Sequence, residues 1–323
     1  MEYLSYLIIV IFLIITILSY FRIADHFNII DKPNERSSHK KVTLRGGGII
    51  FYFGVLAASL LFGIVYPYFL IGLTLIAMIS FIDDIKEVRS WLRLSFHFIS
   101  MLLMFYDCGL FSLPWLYLIV SLILATGIIN AYNFMDGING ITGGYSLAVL
   151  GAMLYINNYI TDFISNDLLL SVILSVIVFN FFNFRKKAKC FAGDVGSVSI
   201  AFIIVFMLTR LIVKTNDLSY IILLVVYGVD SVCTIIHRLM LKENIFKAHR
   251  KHLYQIMSNE LKIPHVKVSA LYFLIQVIIS SIYVIIVSIY DVKYNYLLLL
   301  SSIACLSIIY IIFMKRYFKL HTI

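Results

Sequence analysis

Three stretches of the chain combine oxygen-donor side chains at spacings that suit metal and phosphate chemistry. FIDDIKEVRSWLR carries the neighbouring Asp83 and Asp84. NAYNFMDGINGITGG carries Asn130, Asn133, Asp136 and Asn139 among four glycines, and FRKKAKCFAGDVGS carries Asp194. Carboxylates and amides without cysteine partners suit magnesium, with manganese as the alternative, because such ions keep waters and substrate phosphates in their shell. Two further stretches are basic. DKPNERSSHKKVTLRGGG offers Arg36, His39, Lys41 and Arg45, and FKAHRKHLYQ offers His249, Arg250, Lys251 and His252. Acid to hold a cation and base to hold an anion make a pyrophosphate site, so the chemistry implied is metal-dependent phosphoryl transfer at a membrane surface.

Each residue also has a plainer reading. Asp83 and Asp84 close an apolar run, at the negative end of a helix dipole. They are either a solvated helix end partnered by Lys86 and Arg89, or groups held there for a cation or a proton. Asp194, in Asp-x-Gly-Ser before an apolar run, reads equally as a helix cap and as a metal ligand. The glycines beside Asp136 allow a ligand to approach the backbone, or serve helix packing. Each basic cluster, taken alone, is a topological signal. Cys108, Cys190, Cys233 and Cys305 show no paired spacing and read as small packing residues.

The elements that must carry these residues are membrane helices. The 323 residues are 62% hydrophobic and 13% charged, with a mean hydropathy of +0.97, which excludes an ordinary soluble domain. Candidate spans lie at 4–21, 49–65, 68–82, 94–106, 113–129, 141–156, 168–183, 196–213, 218–236, 268–290 and 294–314. The expectation is a single all-α membrane domain over residues 1–323 with about eleven transmembrane helices. The first apolar stretch runs into Arg22 without a small-residue cleavage site and reads as a span. With the amino terminus outside and the carboxyl terminus inside, 23 of the 26 basic residues fall in cytoplasmic loops; only Arg210, Lys214 and Lys293 do not. The net charge of +9 is thereby explained without nucleic acid. All five polar clusters share the cytoplasmic side.

In their order along residues 31–256, these motifs resemble the polyprenyl-phosphate N-acetylhexosamine-1-phosphate transferase family. That family includes phospho-MurNAc-pentapeptide translocase and the enzymes that start O-antigen, capsule and teichoic acid chains. The resemblance implies transfer of a sugar 1-phosphate from a UDP-sugar to undecaprenyl phosphate, with release of UMP, at the cytoplasmic face of a bacterial inner membrane. It implies catalytic roles for Asp83, Asp84 and Asp136 and magnesium contacts for Asn133 and Asp194. Arg36, His39, Asn139, Phe191, Arg250 and His252 are implied in substrate binding, with Phe191 stacking on uracil. The sequence HRKHLYQ departs from the translocase's run of three histidines and from the His-x-His-His usual in enzymes of the GlcNAc-specific type, here His252, Leu253, Tyr254 and Gln255. This argues against a MurNAc-pentapeptide donor; AHRKHLYQ with FMDGING is similar to enzymes that initiate O-antigen or related glycans, and the resemblance implies N-acetylglucosamine or a related N-acetylated amino sugar as donor. The partners expected are the UDP-sugar, the lipid phosphate and membrane lipid, with a second copy of the chain as a further candidate. A reading from another class is a transporter or flippase of an anionic lipid-linked substrate, with the carboxylates as a proton or cation relay; the polar clusters lie at one face, and Asp230, about one turn inside the ninth span, is the best exception.

Overall fold

The computed structural model describes residues 2–31, 42–245 and 249–321. Arg36 and His39 lie outside the described residues. Helices coincide with all eleven apolar stretches: α1 (Glu2–His26), α2 (Ile50–Phe62), α3 (Pro67–Ile85), α4 (Ser90–Asp107), α5 (Trp115–Met135), α6 (Ile141–Tyr159), α7 (Asn166–Asn183), α8 (Gly193–Thr215), α9 (Val225–Met240), α11 (His265–Ile289) and α12 (Val292–Tyr317). A short α10 (Leu253–Gln255) runs into a π-helical turn, Ile256–Glu260. Among the described residues, eight helical segments are long and apolar enough to cross a membrane. The other three are α2, which is 13 residues long, α4, which opens on SWLRLSFHF, and α6, which carries Gly143, Gly144, Asn157 and Asn158.

Burial follows composition. The α8 sequence is apolar on every side, IAFIIVFML, and such a helix must be surrounded. It is the centre of the bundle, buried from Val195 through Leu208 and packed against α3, α5 and α2. By contrast, α1, α5, α11 and α12 leave wide apolar faces exposed, as helices facing lipid do. Around α8, α3 packs on α4, α2 on α7, and α6 on α11.

One feature is not helical. Ile30–Asp31 pairs antiparallel with Thr43–Leu44, in the register Ile30 to Leu44 and Asp31 to Thr43. Leu44 also bridges Cys190 in parallel, and Phe191 donates its backbone N–H to the Leu44 carbonyl at 2.8 Å. The chain then passes Gly47 and Gly48, whose N–H groups donate to the carbonyls of Phe191 and Ala192. These bonds tie the first polar segment to the start of α8.

Candidate functional site

The site lies where the end of α3, the end of α5 and the start of α8 meet the turn between Leu44 and α2. Asp84 ends α3 with its side chain fully buried. Its Oδ1 accepts the N–H of Asp194 at 2.9 Å and its Oδ2 accepts the N–H of Val195 at 2.9 Å. It therefore supplies two of the partners that the first turn of α8 lacks within its own helix. Arg45 Nε donates to Asp84 Oδ1 at 2.6 Å, and Arg45 Nη2 lies 3.4 Å from Asp194 Oδ1. From the last turn of α5, Asn133 Nδ2 donates to Asp194 Oδ1 and to Ser197 Oγ, both at 3.1 Å.

The two neighbouring aspartates diverge. Asp83 accepts the N–H of Val88 at 2.7 Å and pairs with Arg93 at 2.9 Å. Neither uses Lys86 or Arg89, the partners expected of a solvated helix end. The reason is steric: successive helical residues point about 100° apart, so Asp83 turns to α4 and Asp84 to α8.

Asp136 follows α5 directly and is half-buried, accepting a hydrogen bond from Thr142 at 2.6 Å. Burial pushes its carboxyl up to about 7, the Thr142 bond lowers it and the charge of Asp194 raises it. Its second oxygen has no hydrogen-bond partner among the described residues. Asn139 is buried and donates to the Arg185 carbonyl at 2.9 Å, so its amide fastens the α7–α8 connection to this loop. Gly140 begins α6 at φ +83°, where a Cβ atom falls 1.8 Å from Phe184. Its N–H donates to Asn183 Oδ1 at 2.7 Å, and Asn183 holds the Cys190 carbonyl at 2.8 Å. Phe191 is half-buried beside that connection.

The last basic motif divides. Arg250 is half-buried and forms no ion pair among the described residues. His252 is 2% exposed, with Nδ1 3.4 Å from Asp230 Oδ1, so it faces inward. Burial, followed by the neighbouring His252 and Arg238, pushes His249 down to about 3, which leaves it neutral near neutral pH. Lys251 pairs with Glu243, which also holds Arg238 at 3.1 Å. Asp230 spends its oxygens on Leu253, Thr234 and Tyr272, so a buried carboxylate needs no transport role to account for it.

Three participants were not singled out from the sequence as site members: Ser197, Thr142 and Asn183. Ser197 stands one turn from Asp194 and was legible as part of Asp-x-Gly-Ser. Nothing local in the sequence marks Asn183. Among the described residues no three His, Cys, Asp or Glu side chains form a metal cluster. The adjacent donors are Asp194, Asn133 and Ser197, all able to present oxygen. That set is too sparse for a closed structural metal site and fits magnesium, whose remaining positions go to water and phosphate.

The fold and the site define an all-helical, multi-pass membrane protein with an acid and base cluster at one end of its bundle. Residues 66–212 match the model of glycosyl transferase family 4. A Bacillus subtilis protein named as a probable undecaprenyl-phosphate N-acetylglucosaminyl 1-phosphate transferase is 28% identical, over 72% of this chain and 70% of its own length. The undecaprenyl-phosphate alpha-N-acetylglucosaminyl 1-phosphate transferase of Yersinia pestis is 25% identical, over 73% of this chain and 71% of its own. A phospho-N-acetylmuramoyl-pentapeptide-transferase of Fervidobacterium nodosum is 23% identical, over 68% and 73%. Over residues 66–212 the chain is similar to glycosyl transferase family 4, and over about 70% of its length it is similar to these sugar-1-phosphate and phospho-sugar-peptide transferases.

Proposed function

We propose that the protein transfers a sugar 1-phosphate from a UDP-sugar to undecaprenyl phosphate and releases UMP, at the cytoplasmic face of a bacterial inner membrane. The product would begin a surface glycan such as O-antigen. The amino sugar favoured is N-acetylglucosamine, because the Bacillus subtilis and Yersinia pestis relatives are named for it. Eleven membrane crossings with the amino terminus outside belong to the same reading, as does a homodimer. The observation that carries the reading is the contact of Asn133 with Asp194, from helices 61 positions apart in sequence, beside Arg45.

In this reading Asn133 and Asp194 hold magnesium. When bound, the ion offsets charge on the diphosphate during in-line displacement. The chain's own groups do the rest. Asp84 fixes the first turn of α8 and the guanidinium of Arg45, so the ligand carboxylate keeps its place. Asp136 has an oxygen left for substrate. A phosphomonoester has a second pKa of about 6, so the acceptor is largely dianionic near neutrality and needs positioning more than deprotonation. Asp83 stands beside Asp84 and shares the acceptor role that the family resemblance implies. Arg36, His39 and Arg250 bind the anions and Phe191 lines the donor side, while the buried side chains of Asn139 and His252 hold the connections that carry these groups.

The test is UMP release from UDP-N-acetylglucosamine by membranes carrying the protein, with undecaprenyl phosphate and magnesium added. Release is expected from wild type and abolished by Asp194→Asn or by a chelator. Transport of a lipid-linked substrate without UMP release, or turnover unaffected by chelation, overturns the reading.

A further inference from the structure

The mechanism leaves one buried cluster unused. Asp230 of α9 is 4% exposed, yet it is surrounded by donors from two other segments. Its Oδ1 accepts the N–H of Leu253 at 3.0 Å and its Oδ2 accepts the hydroxyl of Tyr272, on α11, at 2.6 Å. The N–H of His252 donates to Gln255 Oε1 at 3.3 Å. These bonds anchor residues 252–255 to α9, which Asp230 in turn ties to α11. Tyr254 projects from that anchor and is fully buried. Its hydroxyl donates to the Phe134 carbonyl at 2.9 Å.

That carbonyl belongs to the last turn of α5, where carbonyls lack partners within the helix. It is one residue beyond Asn133. Three residues further on, a Cβ atom on Gly137 would stand 2.3 Å from the Tyr254 hydroxyl oxygen and 3.1 to 3.2 Å from its ring carbons. The ring therefore fills the space that a side chain at 137 would need. From α11, Ser269 donates to the Asn139 carbonyl at 2.8 Å, which fastens the far end of the same loop. Both ends of Phe134–Asn139 are thus held from the α9 to α11 side.

We propose that Tyr254, anchored through Asp230, is a positioning residue for the reaction: it braces the turn between Asn133 and Asp136 against Gly137 and fixes where those two side chains stand. The proposal rests on the transferase reading for its consequence in turnover, and its structural half does not. Packing alone accounts for a buried ring, but not for a hydroxyl aimed at the carbonyl beside Asn133.

Tyr254→Phe keeps the ring and deletes the bond. In detergent-solubilised protein, hydrogen–deuterium exchange of a peptide covering 133–140 is expected to rise about tenfold, while peptides of α8 stay unchanged. In the UMP assay, kcat/KM for the UDP-sugar is expected to fall about tenfold, with KM for undecaprenyl phosphate within about twofold. Gly137→Ala supplies an independent arm. It meets the tyrosine oxygen, and in the Tyr254→Phe background that oxygen is gone. Its cost in kcat/KM should therefore be smaller there than in wild type, a non-additivity that general loosening does not produce. Unchanged exchange in Tyr254→Phe overturns the proposal, as do strictly additive variants. So does faster exchange with unaltered turnover. A wild-type protein that releases no UMP instead removes the transferase reading, and the exchange measurement then decides whether the brace exists.

Discussion

Asp84→Asn is the perturbation that separates anchoring from chemistry. Asp84 offers both carboxylate oxygens to successive N–H groups at the start of α8, and one of them also to Arg45. Asparagine has a single acceptor oxygen, so one N–H of Asp194 or Val195 loses its partner, at a cost of about 1 to 3 kcal/mol. The ion pair is lost as well. Because Arg45 is a third exposed and still reaches Asp194, this adds about 1 kcal/mol, well below the cost of breaking a fully buried pair. The total is about 2 to 4 kcal/mol, which equals roughly 30- to 800-fold where it is felt in positioning Asp194. The assay pairs thermal unfolding in detergent with UMP release across a magnesium titration. Asp84→Asn is expected to lower the unfolding midpoint and to raise the magnesium needed for half-maximal rate. Asp83→Asn is the control, because its ion-pair partner Arg93 is 44% exposed and the pair contributes about 1 kcal/mol or less. If Asp83→Asn destabilises more than Asp84→Asn, or if Asp84→Asn leaves both the midpoint and the magnesium requirement unchanged, the capping argument is wrong.

Gly140→Ala should lower the yield of folded protein and the unfolding midpoint, because φ +83° and the Phe184 ring both exclude a Cβ; fluorescence-detected size-exclusion chromatography reads this directly. Asp136, pushed up to about 7, binds more protons folded than unfolded between about pH 4 and pH 7. The stability this contributes is complete below pH 4 and is lost as pH rises through about 7. Chelator-treated protein should therefore unfold at lower temperature at pH 8 than at pH 5.5, and Asp136→Asn should flatten that slope. Arg250→Ala is expected to raise KM for the UDP-sugar severalfold with little change in the unfolding midpoint, since the guanidinium forms no ion pair among the described residues; steady-state kinetics with a thermal melt checks both.

The helices were legible because hydropathy reports them: each of the eleven apolar stretches became a helix, from α1 through α12. The meeting of Asn133 with Asp194 was legible only by resemblance, since nothing in either stretch reveals a partner 61 positions away. The strand pair at Ile30–Asp31 and Thr43–Leu44 escaped because two residues per strand leave no periodicity to read. The glycines of NAYNFMDGINGITGG raised two possibilities, ligand approach or packing. At Gly137 and Gly140 the space is taken by Tyr254 and Phe184, so packing governs those positions. Asn139 and His252 were expected at substrate from motif position alone. Their side chains face the Arg185 carbonyl and Asp230, contacts that depend on how distant segments pack.

The carboxylates carry a further lesson, because a helix start packed against neighbouring helices needs hydrogen-bond acceptors from the protein where water does not reach. Asp107 takes the N–H of Phe69 in the first turn of α3, at 2.7 Å. Asp84 takes two in α8, and Asp230 takes Leu253 at the start of α10. Asp217 takes Ser219 in the 3-10 turn that leads into α9. Each accepts a backbone N–H that the start of a helix leaves without a partner. Position inside an apolar sequence therefore selects for capping as readily as for chemistry, and this is why Asp230 looked like a transport residue. Asp136 breaks the pattern. It stands at the negative end of α5, where the dipole disfavours a carboxylate, and caps no helix start. Asp194 lies within the first turn of α8, but its side chain faces Asn133 and Arg45 from neighbouring segments. Capping does not explain the placement of these two carboxylates, and they flank the Asn133 turn on which the proposed reaction depends.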